Sequence, residues 1–206
     1  MISENMNLFS NYYENNDLKD ITVGIIKFPE KISRNRMRRI AHEVFRTSIQ
    51  VKYDLFQIKL NEVERNILYG YTVKNARKIR IAYSFSYVEG IATFIYSDIY
   101  NVSLDIENPY KVEPLDVFLF RLDREIYRKM ELYEYGIKTL SWCLQEAIGK
   151  LERTGLDKKH VISNVEKKKN HFILNYYQVG SNEVKYCNML ISKINDFYLI
   201  INYRRI

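Results

Sequence analysis

A chain of 206 residues, 47% hydrophobic and 28% charged, can bury a sizeable core as one large domain or two small lobes and is too apolar for a disordered chain. Its net charge of +7 favours an acidic partner: nucleic acid, a phosphorylated cofactor or an acidic protein. Cys143 and Cys187 are isolated and His42, His160 and His171 are scattered, which excludes a disulfide framework and the spacing of a zinc finger or zincin.

The cysteine usage fits a reducing compartment. The polar N-terminus carries no apolar signal core, and no apolar run is long enough to span a bilayer, so a cytoplasmic chain that avoids the membrane is expected. Eighteen tyrosines suit half-buried strands and wet interfaces. A bias towards Ile, Tyr, Asn and Lys explains them as well as any tyrosine chemistry does.

In chain order, Ile21 to Phe28 reads as a strand. Ser33 caps a helix from Arg34 to Gln50, whose apolar stripe is Met37, Ile40, Ala41, Val44 and Phe45. Its other face carries Arg36, Arg38, Arg39 and Arg46, which a solvated surface and a phosphate-binding role explain equally. Ile79 to Ser86 and Gly90 to Tyr96 read as strands with a tight connection. In a third, Asn101 to Glu107, Val102, Leu104 and Ile106 alternate with Ser103, Asp105 and Glu107. Asp105 and Glu107 then leave one face with origins about 6.5–7 Å apart. That is a workable span for one cation, and also the pattern of an ordinary half-buried strand.

Helical periodicity resumes near Pro114 and again from Tyr135 to Arg153, where Leu140, Leu144, Ala147, Ile148 and Leu151 form the core stripe. Trp142, Glu146 and Lys150 fall on the opposite face, one turn apart. A surface i,i+4 pair accounts for Glu146 and Lys150 by themselves. Trp142 beside them implies that this face meets a second lobe or a ligand. Phe172 to Tyr177, Val184 to Ile191 and Phe197 to Tyr203 read as an antiparallel meander with turns at Gly180-Ser181-Asn182 and Asn195-Asp196. The expected class is α+β, with two similar α+β lobes over residues 1–100 and 101–206.

The order of these pieces resembles the 4′-phosphopantetheinyl transferase superfamily in its larger, pseudodimeric, surfactin-synthetase-activating form. That family shows a Ser-His motif on a strand, then Gly-Val-Asp-Ile-Glu, then Trp-x-x-Lys-Glu-Ala-x-x-Lys and Gly-Leu. Here Ser84 to Gly90 stands for the first, Ser103 to Glu107 for the second, and Trp142 to Leu156 for the third. Arg46 looks like the end of the family's Leu-Leu-Arg helix, and Gly70 sits where a Gly-x-Pro turn would be. The resemblance covers roughly residues 36–156. It implies a pseudodimer that transfers the phosphopantetheine of coenzyme A to a serine of an apo acyl or peptidyl carrier protein, with Mg²⁺, as a cytoplasmic monomer.

By that resemblance Asp105, Glu107 and Glu146 are the Mg²⁺ ligands, and Glu146 and Lys150 the catalytic pair. Arg36, Arg38, Arg46, Tyr87, Gln145 and Lys150 then bind coenzyme A. Tyr87 replaces the family His and Gln145 the Lys before the helix carboxylate, so two cationic contacts are lost. The alternatives are a catalytically impaired relative that binds a carrier protein or another acidic partner, and, third, a basic nucleic-acid-binding protein served by the Arg34–Arg46 helix and Lys167-Lys168-Lys169. The last leaves the three acids unexplained, because carboxylates repel phosphates unless a metal intervenes.

Overall fold

The computed structural model describes residues 20–28, 32–60, 64–108, 137–194 and 197–206. The chain divides into two units, Met1–Val102 with Arg205–Ile206, and Ser103–Arg204. In the first, strand β1 (Thr22–Lys27) leads into helix α1 (Arg34–Tyr53), followed by β2 (Leu55–Leu60), β3 (Ile67–Thr72), β4 (Lys78–Val88) and β5 (Ile91–Ser97). These form a five-stranded sheet in the order β1-β5-β4-β3-β2. The remaining elements are β6 (Tyr100–Glu107), helix α2 (Ile137–Leu151), β7 (His160–Lys167), β8 (Phe172–Gln178), β9 (Val184–Ile194) and β10 (Phe197–Arg205). Their sheet runs β6-β10-β9-β8-β7. Each sheet is thus a strand, a helix, and a meander of four strands whose last member lies beside the first.

The expected α+β class, a pseudodimer of two α+β lobes, is overturned. Among the described residues the structure is mostly β, with 52% in strands against 22% in helix, arranged as two antiparallel five-stranded sheets with two helices. Three strands, β2, β3 and β7, were not legible from alternation. Register shifts between Leu55 and Gln57 and between Ile162 and Asn164 break the two-residue period of β2 and β7. The helical pattern expected near Pro114 lies outside the described residues. Among the described residues, no helix is long and apolar enough to cross a membrane.

Helix α1 begins where Ser33 Oγ accepts from the Arg36 amide at 3.3 Å. It ends at Asp54, whose left-handed backbone (φ 49°) lets its N–H reach the Gln50 and Val51 carbonyls. Its buried Met37, Ala41, Phe45 and Ile49 pack on Ile81, Ala92, Phe94 and Tyr96. Phe94 lies over Gly24 of β1, where an added Cβ would come within 2.1 Å of the ring. Gly70 is not in a turn: it lies inside β3 opposite Ile58 and Ile79, and an added Cβ would meet Leu55 Cδ1 at 2.4 Å. In the second unit Leu140, Leu144, Ala147, Ile148 and Leu151 of α2 pack on Leu174, Tyr176, Met189 and Ile200. The stripe predicted for this helix is the one it buries.

Candidate active site

Strand β6 carries Asp105 between Leu104 and Ile106, and all three are buried, as is Ser103. The face expected to look outward is therefore closed over as well, and Asp105 is only 2% exposed. A carboxylate so placed needs a cation. Lys150, in the last turn of α2, supplies it: its Nζ is 2.7 Å from Asp105 Oδ1. The same ammonium donates to the Leu104 carbonyl at 3.3 Å and lies 3.6 Å from Glu146 Oε2, one turn back on the helix. Two carboxylates, one from a strand and one from a helix, thus meet on one ammonium.

Burial works against the Lys150 charge, but the Asp105 and then the Glu146 carboxylates outweigh it and hold its pKa above the ordinary lysine value. Glu146 is shifted the other way round. Burial pushes its carboxyl above the usual carboxylate range, and Lys150 only partly opposes that. Cys143, fully buried one turn before Ala147, hydrogen-bonds to Asp105, and burial raises its thiol pKa well above normal. Glu107 is half-buried at the end of β6, close enough for its charge to act on Cys143.

The end of α2 fixes where Lys150 stands. Gly149 packs so tightly on Gly155 that an added Cβ would come within 2.2 Å of the Gly155 carbonyl oxygen. The Gly149 carbonyl accepts from the amides of Thr154 and Gly155, across a reversal at Arg153 with φ 60°. The Gly155-Leu156 pair read from sequence therefore closes the helix that carries the site. Gln145, assigned to coenzyme A by resemblance, spends its amide on the chain itself. Its Nε2 donates to the His160 carbonyl at 2.7 Å, and its Oε1 accepts from the His160 amide at 3.4 Å. Trp142 is half-buried and lies outside the core cluster of α2.

Mg²⁺ takes oxygen ligands, and the Asp105 and Glu146 oxygens converge on a cationic nitrogen, so these two residues fit a divalent ion at the place the ammonium holds. Among the described residues, no three of His, Cys, Asp and Glu are grouped so as to hold a metal. Glu107 does not complete a trio.

The basic face of α1 belongs to the first unit. Arg36, Arg38, Arg39 and Arg46 are all exposed. The Arg38 guanidinium carbon lies 5.4 Å from the centre of the Tyr87 ring, and Tyr87 stacks parallel to Phe85 at 6.0 Å. His42 stacks on Phe85 at 4.2 Å. Burial, then the charges of Arg38 and Arg46, lower the His42 pKa, so both guanidiniums lie within electrostatic reach of His42. Burial pushes the Tyr87 phenol up to about 12, against the pull of Arg38. Tyr87 is thus a neutral donor at physiological pH, and its buried hydroxyl has no hydrogen-bond partner among the described residues. A donor beside an exposed guanidinium is the chemistry of an anion site.

One constellation escaped the sequence. Glu152, just past α2, accepts from Tyr176 Oη and Lys185 Nζ, each at 2.6 Å, and pairs with Arg204 Nη1 at 2.9 Å. Its members come from three separate strands and a helix end, so no spacing links them. No protein-family model matches this sequence, and no curated protein matches it.

Proposed function

We propose that the protein transfers the 4′-phosphopantetheine group of coenzyme A to a serine of an apo acyl or peptidyl carrier protein, as a cytoplasmic monomer. The observation that carries the reading is the meeting of Asp105 and Glu146 on the Lys150 ammonium. The serine oxygen forms a bond to the inner phosphorus, the bond to the outer phosphate breaks, and 3′,5′-ADP leaves. Glu146 takes the serine proton, helped by burial that makes its carboxylate a stronger base than usual. Lys150 stabilises charge growing on the phosphoryl oxygens. Mg²⁺, when bound, supplies further neutralisation of that charge. In the first unit the exposed Arg38 beside Tyr87 is suited to a phosphate group, and Arg36 and Arg46 add charge on the same helix.

A second reading is favoured by Gln145, whose amide is committed to His160. In it the chain is a catalytically impaired relative that binds a carrier protein or another acidic partner. Incubation with coenzyme A, Mg²⁺ and a panel of apo carrier proteins, read by intact mass, separates the two. A carrier that gains one phosphopantetheine with the wild type, and none with Glu146→Gln, supports transfer. A carrier that stays unmodified but binds the chain in calorimetric titration leaves the binding reading, and carriers that are neither modified nor bound remove both the transfer and the carrier-binding readings.

A further inference from the structure

The place where a metal would bridge Asp105 and Glu146 is held by part of the chain. Lys150 brings its Nζ to 2.7 Å from one carboxylate and 3.6 Å from the other, and also donates to the Leu104 carbonyl. We propose that the Lys150 ammonium is the resident cation of this acidic pair, and that a divalent metal reaches Asp105 and Glu146 only by displacing it. The inference rests on the same acidic pair as the transferase reading, but concerns the chain's own residues and needs no turnover.

Three features favour displacement over coexistence. A divalent ion and an ammonium within a few ångströms of each other in a half-buried place repel strongly. The helix backbone beneath Lys150 is held by the Gly149–Gly155 contact, so exchange requires only the four-carbon side chain to turn. The Lys150 side chain keeps 21% of its surface exposed, against 3% for Asp105, so the lysine has a path to solvent and the carboxylate has none. A polyphosphate would offer the departing ammonium a new anionic partner. The metal should therefore bind weakly alone and more tightly together with a phosphorylated substrate.

The test uses the full chain and Mn²⁺ alone, with free Mn²⁺ followed by electron paramagnetic resonance. Lys150→Met keeps the length of the side chain and removes its charge, and it should tighten Mn²⁺ binding at least about tenfold. Lys150→Arg, which keeps a cation, should not. Equal or weaker Mn²⁺ affinity in Lys150→Met overturns the proposal. If Lys150→Met does not fold, as judged by circular dichroism, the wild type answers by itself. Reductive methylation of Lys150, read by peptide mass, should accelerate at saturating Mn²⁺, and an unchanged rate overturns the proposal. Transfer with no effect of Lys150 on the metal defeats this inference alone. Tighter metal binding in Lys150→Met with no carrier modified defeats the transferase reading alone.

Discussion

The two units share one order of described elements and fill it differently. In the first, the ionisable groups of the helix stay outside as exposed arginines, and the interior is aromatic: Phe45 touches the rings of Tyr83, Phe85, Phe94 and Tyr96. In the second, charge comes inside. Lys150 neutralises Asp105 beside α2, and Glu152 gathers Tyr176, Lys185 and Arg204 just beyond it. A strand, a helix and a meander accept either interior. The charged one must be closely paired, because each buried ion left alone costs several kcal/mol. Chemistry by charge is therefore expected within the second unit and recognition by surface charge on the first.

The largest effect that would test the contrast is in the aromatic interior. Phe45→Ala should cost about 3–5 kcal/mol in urea unfolding, as a ring deleted from a packed core. A change within about 0.5 kcal/mol, the range of an ordinary surface substitution, would mean that these rings do not hold the unit together. Next comes Glu152→Ala, which removes the carboxylate that Lys185 and Arg204 share and should destabilise by about 3 kcal/mol. If Glu152→Ala unfolds at the same urea concentration as wild type, the network contributes nothing net.

Acid provides a graded version of that experiment. Burial alone would raise the Glu152 carboxyl, but the hydrogen bonds from Lys185 and Tyr176 and the charge of Arg204 hold it below its ordinary value. A carboxyl depressed in the folded state binds fewer protons there than in the unfolded chain, so its stabilisation is present above the unfolded pKa. That stabilisation should fall away as pH drops from about 4.5 through the lower folded value. Melting temperatures of Glu152→Gln should flatten over this window relative to wild type, and parallel curves would assign the acid response to other groups.

A smaller effect is expected on the first unit's surface. Arg38→Ala should weaken binding of 3′,5′-ADP about tenfold, equivalent to about 1.4 kcal/mol, while leaving the melting temperature unchanged. Calorimetric titration showing equal affinity would remove Arg38 from the anion site. The smallest is Ser33→Ala, which deletes the cap of α1 and should cost about 1 kcal/mol, measured by urea unfolding.

Much of the architecture was legible because it follows from local rules. Ser33 and the Met37–Phe45 stripe marked α1, and the stripe from Leu140 to Leu151 marked α2. The meander over β8, β9 and β10 alternates and has clear turns. The mostly β class was missed where alternation fails, at the register shifts of β2 and β7, so two sheets were read as fewer strands with more helix. The Gly70 turn was misread because a glycine inside a strand, admitting Leu55 against the backbone, looks the same in sequence as a glycine in a turn. In the site, helical spacing alone brought Glu146 and Lys150 together. The Cys143 contact with Asp105 and the Gln145 clamp on His160 carry no such signal.

The amino-acid order was enough to put Glu146 one turn before Lys150, to stagger Asp105 and Glu107 along a strand, and to line α1 with arginines, because helix and strand periods are local properties of the backbone. Only the folded second unit decided that Asp105 would be buried and that the cation it meets would be Lys150. The same holds for Glu152, which draws Tyr176, Lys185 and Arg204 from distant strands. Those outcomes depend on which strand lies beside which helix and on how much water the packing removes, and it is the loss of water that turns a spacing of charges into a bond between them.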